Sequence, residues 1–150
     1  MFKRQILLEC VSALLVLLFL YTGLSKFIDF PSFIDDMNNQ PFSNFWTPFL
    51  IWFIPCSEII ISALIIFERT RLYGFYAHLF LMVLFTIYTI LVLAHFYDYV
   101  PCSCGGVIRR LTWTQHLFFN LFFVALSILG IILQRRNYFK SILITKNSFV

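Results

Sequence analysis

The chain has 150 residues, of which 61% are hydrophobic and only 12% are charged. A soluble domain usually carries about 25% charged residues, and one of this size cannot bury so much apolar surface in its own core. The net charge of +4 lies at the ends of apolar segments, without the basic cluster that nucleic-acid binding requires, so nucleic acid is excluded as a partner. We predict one membrane domain covered by the lipid bilayer.

Four apolar runs of about 20 residues are long enough to cross a bilayer. They extend over about 6–24, 45–67, 72–97 and 113–133. Because irregular backbone cannot face lipid, each run is predicted to be an α-helix, and short connections favour antiparallel neighbours. The predicted fold is all-α integral membrane, an antiparallel four-transmembrane-helix bundle over residues 1–134, with a basic cytoplasmic tail over 135–150.

The basic residues predict which way this bundle faces. Cytoplasmic connections carry the excess of Lys and Arg, which predicts both termini on the cytoplasmic side of a bacterial inner membrane. The two connections on the other side then face the periplasm. Eight basic residues share the predicted cytoplasmic side, against three on the other: Lys3, Arg4, Arg69, Arg71, Arg135, Arg136, Lys140 and Lys146.

The connection between the first two spans contains a second helical pattern. Apolar residues recur at Phe30, Phe33, Ile34 and Met37, and Pro31 suits a first turn. This spacing predicts a short amphipathic helix on the outer surface. It serves either as a lid on the bundle or as a docking surface for a partner.

Cys102 and Cys104 lie one residue apart in the last connection, between a proline and a glycine pair. Their α-carbons can approach within disulfide range, and such a small, strained ring is easily reduced. The positive charge of Arg109 and Arg110 can increase the thiolate fraction, and His116 can act as a base or stabilise the thiolate. These five residues predict a thiol-disulfide exchange site in a compartment that tolerates disulfides.

Other interpretations of the same pair stay open. It can be a static disulfide that closes the loop, a pair of inert thiols, or a site for Cu(I), which thiolates select. A zinc site needs more ligands than the loop supplies. We therefore assign no metal and no cofactor, with a quinone or Cu(I) as alternatives.

The remaining functional candidates lie inside the predicted spans. Cys10 and Cys56 are interpreted as small buried hydrophobes, although Cys56 follows Pro55, where the helix can open, and is the better redox candidate. Glu58 is costly at mid-membrane and should face the bundle interior. No cation is expected at its depth, so Thr86 or Tyr88 on the third span are the predicted partners.

At this point the residues resemble a known family, the MauE branch of the DoxX-like membrane proteins. The segment 23–27 (Gly-Leu-Ser-Lys-Phe) is similar to the Gly-x-Ser-Lys element of that group, and Glu58 to its glutamate on the second helix. The segment 102–106 (Cys-Ser-Cys-Gly-Gly) resembles the Cys-x-Cys segment before the fourth helix. Trp113 and Asn120 lie where that group tends to have Trp and Asn. The resemblance adds Ser25 and Lys26 to the candidate site residues.

The resemblance implies a redox-associated inner-membrane protein. MauE-like proteins are linked to the maturation of methylamine dehydrogenase, whose small subunit is exported and disulfide-rich, and are thought to act with a thioredoxin-like partner. The predicted function is thiol-disulfide redox chemistry or maturation of exported disulfide-containing proteins, through an outward-facing Cys-x-Cys loop. The partner is then a thioredoxin-like periplasmic protein or an exported client. The alternatives are a non-catalytic assembly factor or chaperone, and a small proton-coupled transporter that uses Glu58.

Overall fold

The structure is a computed structural model that describes residues 2–41, 44–96 and 111–147. Within these ranges the chain is helical and contains no strand. In chain order the helices are α1 (Phe2–Ile28), α2 (Phe30–Asn38), α3 (Thr47–Ile66), α4 (Arg71–Leu93) and α5 (Trp113–Asn147).

The four long helices pack in a ring, in which α1 and α4 each contact both α3 and α5. Neighbours in the ring run antiparallel. All four are long and apolar enough to span a membrane, so the predicted four-helix membrane bundle is confirmed. The short α2 lies against α3 and α1. Its buried residues Phe33 and Met37 face the bundle, as the apolar spacing predicted.

The two ends of the bundle differ in charge. One end, which we call the basic end, carries the start of α1, the α3–α4 turn and the later part of α5. There Arg71 donates to Glu9 Oε1 at 2.7 Å and to the backbone carbonyl of Ile65 at 3.1 Å. Arg4 also donates to the carbonyl of Leu133 at 3.5 Å. The opposite end carries α2, and we call it the α2 end.

Helix α4 ends sooner than the third predicted span, which extended to about residue 97. It stops at Leu93, and His95 adopts a left-handed conformation with a φ of 54°. The amides of His95 and Phe96 return to the carbonyls of Val92 and Leu91. This pair of bonds is the Schellman arrangement, which satisfies the last carbonyls of a helix. A glycine usually occupies the left-handed position. The pattern of apolar residues in the sequence therefore does not indicate that a histidine ends the helix here.

The last helix extends beyond the predicted span. The α5 backbone continues to Asn147 rather than stopping near residue 133, and it contains a stretch, Trp113–Asn137, that is long and apolar enough to cross a membrane. Much of the segment expected as a basic tail is therefore a helical continuation of the fourth span.

The surface of the bundle is as apolar as its interior. Phe19, Phe75, Leu15 and Ile65 are fully buried, whereas large apolar side chains such as Leu17, with 66% of its surface exposed, cover the outside. This is the pattern of a bundle whose outer surface contacts lipid tails.

The interpretation of Cys10 and Cys56 as buried residues is wrong. Both are exposed on the outside of the bundle and neither is in a disulfide. Pro55 is buried inside α3, yet the helix runs through it from Thr47 to Ile66 without a break. The opening beside Cys56 that the proline suggested is therefore not present.

A close backbone approach joins α3 to α4 at the basic end. A Cβ atom added at Gly74 would lie 2.7 Å from Ile65 Cγ1 and 2.8 Å from Ile65 N. Only a residue without a side chain fits here, because a backbone atom cannot turn away as a side chain can. At Gly130 the nearest atoms would instead be those of the Phe75 ring, at 3.2 Å.

We expect Gly74→Ala to destabilise the bundle by about 1–3 kcal/mol, the usual cost of overpacking a tight contact. Gly130→Ala is the matched control, and its cost should be smaller because the Phe75 ring can shift. Chemical unfolding of the detergent-solubilised protein measures both changes. Equal stability of Gly74→Ala and the parent protein would contradict the close approach of α3 and α4.

Candidate functional site

A buried ion pair joins α1 to α3 in the interior of the bundle. Lys26 Nζ donates to both carboxylate oxygens of Glu58 at 2.9 Å, and to the carbonyl of Thr22 at 3.3 Å. Only 3% of the surface of Lys26 and 2% of that of Glu58 are exposed. Two charges taken out of water need close geometry and further hydrogen bonds to be tolerated, and this cluster supplies both.

The direction of the lysine side chain explains how the pair forms. Lys26 lies two residues before the end of α1, near the α2 end. Side chains on a helix tilt toward its N-terminus, so Lys26 extends back into the bundle and not out to the surface. The ring of Phe33 on α2 lies 5.9 Å from the ammonium nitrogen, within range of a cation–π interaction.

The expectation that no cation reaches the depth of Glu58 is therefore wrong. A lysine near the end of one helix reaches a glutamate near the middle of another because its long side chain spans the difference. Thr86 and Tyr88, the predicted partners of the carboxylate, form hydrogen bonds with other groups. Thr86 donates to the carbonyl of Met82, and Tyr88 donates to the side-chain carbonyl of Gln40.

A cavity of about 190 Å³ lies beside this ion pair, with residues from all five helices in its wall. Most of the wall is apolar and rich in aromatic rings and methionine: Leu18, Phe19, Phe33, Met37, Leu50, Ile54, Met82, Phe85, Trp113 and Phe119. The polar remainder consists of Thr22, Lys26, Gln40, Glu58, Tyr88, Thr89, His116 and Asn120. A mostly apolar wall with a few convergent polar groups is typical of a ligand site.

Two pairs of polar groups contribute to the wall. Glu58 is eleven residues into α3, which corresponds to about 16 Å from its start. Asn120 is seven residues into α5, at about 10 Å. It donates to Thr89 Oγ1 at 3.2 Å, four residues before the end of α4. The Lys26–Glu58 and Asn120–Thr89 pairs thus both contribute to the wall of the cavity.

The remaining contacts lie on the side of the cavity toward α2. Gln40 follows α2, bonds through its amide nitrogen to the carbonyl of Asp36 at 2.8 Å, and accepts the hydroxyl of Tyr88. His116 retains 2% of its exposed surface, and its ring lies 5.8 Å from that of Trp113. Phe33 and Met37 of α2 also line the cavity, so α2 forms part of its wall.

The structure brings three of the predicted site residues together and separates others from them. Lys26, Glu58 and His116 share the wall of the cavity. Ser25 and Cys56 do not belong to that wall: Ser25 donates to the carbonyl of Tyr21 at 2.6 Å, and Cys56 is exposed on the outside of α3. The predicted residues Cys102, Cys104, Arg109 and Arg110 lie outside the described residues.

Several residues of the site carry no clear signal in the sequence. Thr22, Gln40 and Thr89 are ordinary polar residues whose role depends on helices that are distant in the chain. One signal is local: Thr22 and Lys26 are four residues apart, which puts them on the same face of α1. That spacing was a signal that Lys26 continues the helix, whereas our prediction ended the span at residue 24 and put Lys26 in the loop.

A second buried polar group lies outside the cavity wall. His78 Nδ1 is 2.8 Å from Ser127 Oγ, and the imidazole ring stacks on Phe19 at 4.0 Å. Among the described residues, none forms a hydrogen bond with its other ring nitrogen, Nε2. This agrees with a structural histidine that joins α4 to α5. Across the part of the chain that the structure describes, no three His, Cys, Asp or Glu side chains are grouped closely enough to hold a metal ion.

Comparison with known proteins agrees with the family resemblance. The family model described as methylamine utilisation protein MauE matches residues 4–133, which contain all four spans except the later part of α5. Comparisons with curated proteins and with solved structures gave no match.

We expect Lys26→Met to destabilise the protein by about 3–5 kcal/mol, because it leaves the buried carboxylate of Glu58 without its cation. The double variant Lys26→Met/Glu58→Met should recover most of this loss, because replacing both charges by apolar groups is often neutral. Chemical unfolding in detergent measures the difference.

The matched control for this pair is Glu9→Gln, which breaks the ion pair with Arg71. Because 49% of the Glu9 side chain is exposed, the expected loss is about 1 kcal/mol or less. The buried position of the Lys26–Glu58 pair would be contradicted if the double variant were as unstable as Lys26→Met alone.

Proposed function

Because this chain belongs to the MauE family of methylamine utilisation proteins, we propose that it is a membrane thiol-disulfide exchange component in the maturation of exported proteins. Its chemistry resides in Cys102 and Cys104, and its client is a disulfide-containing exported protein or a thioredoxin-like protein that serves one. The small subunit of methylamine dehydrogenase is the client that the family description suggests.

The observation that supports this proposal best is the location of the cavity. The segment that contains Cys102 and Cys104 connects Phe96 to Leu111, and so joins the ends of two helices that line the cavity. Trp113 and His116 follow directly in the first turn of α5. The thiols are therefore attached to the same end of the bundle as its buried polar site.

The exchange step itself needs only the two thiols and a partner disulfide. One cysteine, as the thiolate, attacks a sulfur of the partner disulfide, and the partner's other sulfur leaves as a thiolate that takes up a proton. The second cysteine then attacks the mixed disulfide, so that a Cys102–Cys104 disulfide forms and the partner is released as a dithiol. Two electrons pass to the partner, and the reverse sequence oxidises it.

This function requires the thiols to face the periplasm of a bacterial inner membrane. The basic end supports that orientation, because its charges are those expected at the cytoplasmic side. They include Lys3, Arg4 and Arg69, together with Arg135 and Arg136 in the later part of α5. Both termini are then cytoplasmic.

We expect a membrane-impermeant maleimide to label intact cells through Cys102 and Cys104 alone. Cys10 and Cys56 are exposed along the apolar sides of α1 and α3, where lipid excludes a water-soluble reagent. A Cys10→Ser/Cys56→Ser variant should therefore be labelled as fully as the parent, and Cys102→Ser/Cys104→Ser should not be labelled. Labelling that appears only after the cells are broken would contradict the orientation.

We expect the purified, reduced protein to reduce an oxidised thioredoxin-like protein, with one disulfide gained for each disulfide lost. Cys104→Ser should stop at a mixed disulfide or fail to react, because no resolving thiol remains. The matched control, Cys10→Ser/Cys56→Ser, should react at the parent rate. Gel shifts after alkylation count the thiols, and an unchanged rate in Cys102→Ser/Cys104→Ser would exclude thiol exchange.

The exposed side of α2 favours a second function, that of a non-catalytic assembly factor. Pro31, Asp35 and Asn38 are exposed on this helix, and can contact an exported client while the Cys pair closes the loop. In that case, a client that co-purifies with the parent protein should still do so with Cys102→Ser/Cys104→Ser. Loss of the client from this variant alone would favour thiol exchange.

A further inference from the structure

The cavity beside the buried ion pair has room for a single ring. Its volume is about 190 Å³, and an engineered apolar cavity of about 150 Å³ takes up benzene. A six-membered ring with a small substituent therefore fits, whereas a whole lipid does not. Water is a poor occupant of most of this space, because a water molecule needs two to four polar partners and most of the wall is apolar.

The wall favours a flat and uncharged occupant. Phe19, Phe33, Phe85 and Phe119 belong to it, and aromatic rings pack well in stacked or edge-on contact with another ring. The lysine and the glutamate of the wall neutralise each other in one ion pair. A charged ligand would therefore be buried without a partner of opposite charge, which is costly.

Two of the polar groups in the wall have already used their hydrogens. The ammonium group of Lys26 donates to both carboxylate oxygens of Glu58 and to the carbonyl of Thr22, and an ammonium group has three hydrogens. The hydroxyl of Tyr88 donates to the side-chain carbonyl of Gln40. Neither group has a hydrogen left for a ligand, so the polar contact must come from another residue.

The amide of Asn120 has hydrogen-bonding capacity to spare. The hydroxyl of Thr89 donates to the carbonyl of Phe85 at 2.8 Å, so Thr89 Oγ1 acts as an acceptor and takes one amide hydrogen of Asn120 at 3.2 Å. Within the described residues, the carbonyl oxygen and the second amide hydrogen of Asn120 form no hydrogen bond. Only 8% of the surface of Asn120 is exposed, and a buried polar group without a partner is costly. The site therefore favours an occupant that supplies this partner.

A hydroxyl group suits this amide, because it can donate to the carbonyl oxygen or accept from the free hydrogen. A phenol combines a hydroxyl with a planar ring, and it is uncharged at neutral pH because its pKa is about 10. We propose that the cavity binds a small, lipid-soluble phenol, with its ring among the aromatic side chains and its hydroxyl group at Asn120. This inference goes beyond thiol exchange and does not depend on it, because Cys102 and Cys104 take no part in the binding.

Binding is tested with para-fluorophenol, by fluorine NMR on the purified full-length protein in detergent. The matched ligand para-fluorotoluene has a similar size but no hydroxyl group, and protein-free micelles measure how much of each ligand dissolves in the detergent. We expect both ligands to bind the parent protein saturably and to compete with each other, because the cavity holds one ring. Absence of saturable binding beyond that of the micelles would overturn the assignment.

One variant tests the contact with the hydroxyl group. Asn120→Leu keeps a side chain of similar size and should weaken binding of para-fluorophenol about tenfold, the usual effect of losing one hydrogen bond to a buried group. Binding of para-fluorotoluene should stay nearly unchanged, because this ligand forms no such bond. An equal effect on both ligands, or no effect on either, would overturn the role of Asn120.

Two further variants locate the site even where Asn120→Leu fails to fold. Ile54→Phe adds bulk to the cavity wall and should abolish saturable binding of both ligands, while Ile60→Phe on the same helix, where 58% of the residue is exposed, should leave it unchanged. Cys102→Ser/Cys104→Ser should bind both ligands as the parent protein does, which separates a failure of the phenol site from a failure of thiol exchange. Unchanged binding in Ile54→Phe would put the ligand outside the cavity and overturn the proposal.

Discussion

A buried ion pair between a lysine and a glutamate sets the arrangement of this bundle. Each charge alone would be too costly to bury, so Lys26 and Glu58 must meet at hydrogen-bonding distance, and that requirement sets the register of α1 against α3. The same ammonium group lies under the ring of Phe33, which links α2 to the pair. The cavity lies beside this polar centre, and α1, α2 and α3 all contribute residues to its wall.

Much of the architecture could be predicted from the sequence because the bilayer imposes it. A run of about 20 apolar residues has few alternatives to a helix in lipid, and short connections force antiparallel neighbours. The amphipathic spacing of Phe30, Phe33 and Met37 likewise indicated α2. The ends of helices were harder, because they depend on backbone hydrogen bonds such as those around His95, and these leave no mark in hydropathy.

The site could be predicted only in part. Glu58 was identified because a carboxylate in a span is unusual, but its partner is 32 residues away in the chain and resembles an ordinary loop charge. Cys10 and Cys56 were assigned to the wrong side of their helices for another reason. Lipid and protein interior are equally apolar, so composition in a span does not distinguish the face that packs from the face that meets lipid.

The end of α4 has a consequence for how this architecture can vary. His95 and Phe96 return their amides to the helix they follow, so the carbonyls of Val92 and Leu91 are satisfied by the turn that ends α4. At the start of α5, the backbone amide of Thr112 donates to the side-chain oxygen of Gln115, and the backbone amide of Gln115 donates to the hydroxyl of Thr112. These two bonds cap α5 with residues next to its own first turn. Both helix ends thus carry caps built from their own neighbouring residues, and these caps do not depend on a particular length or chemistry of the segment that joins them.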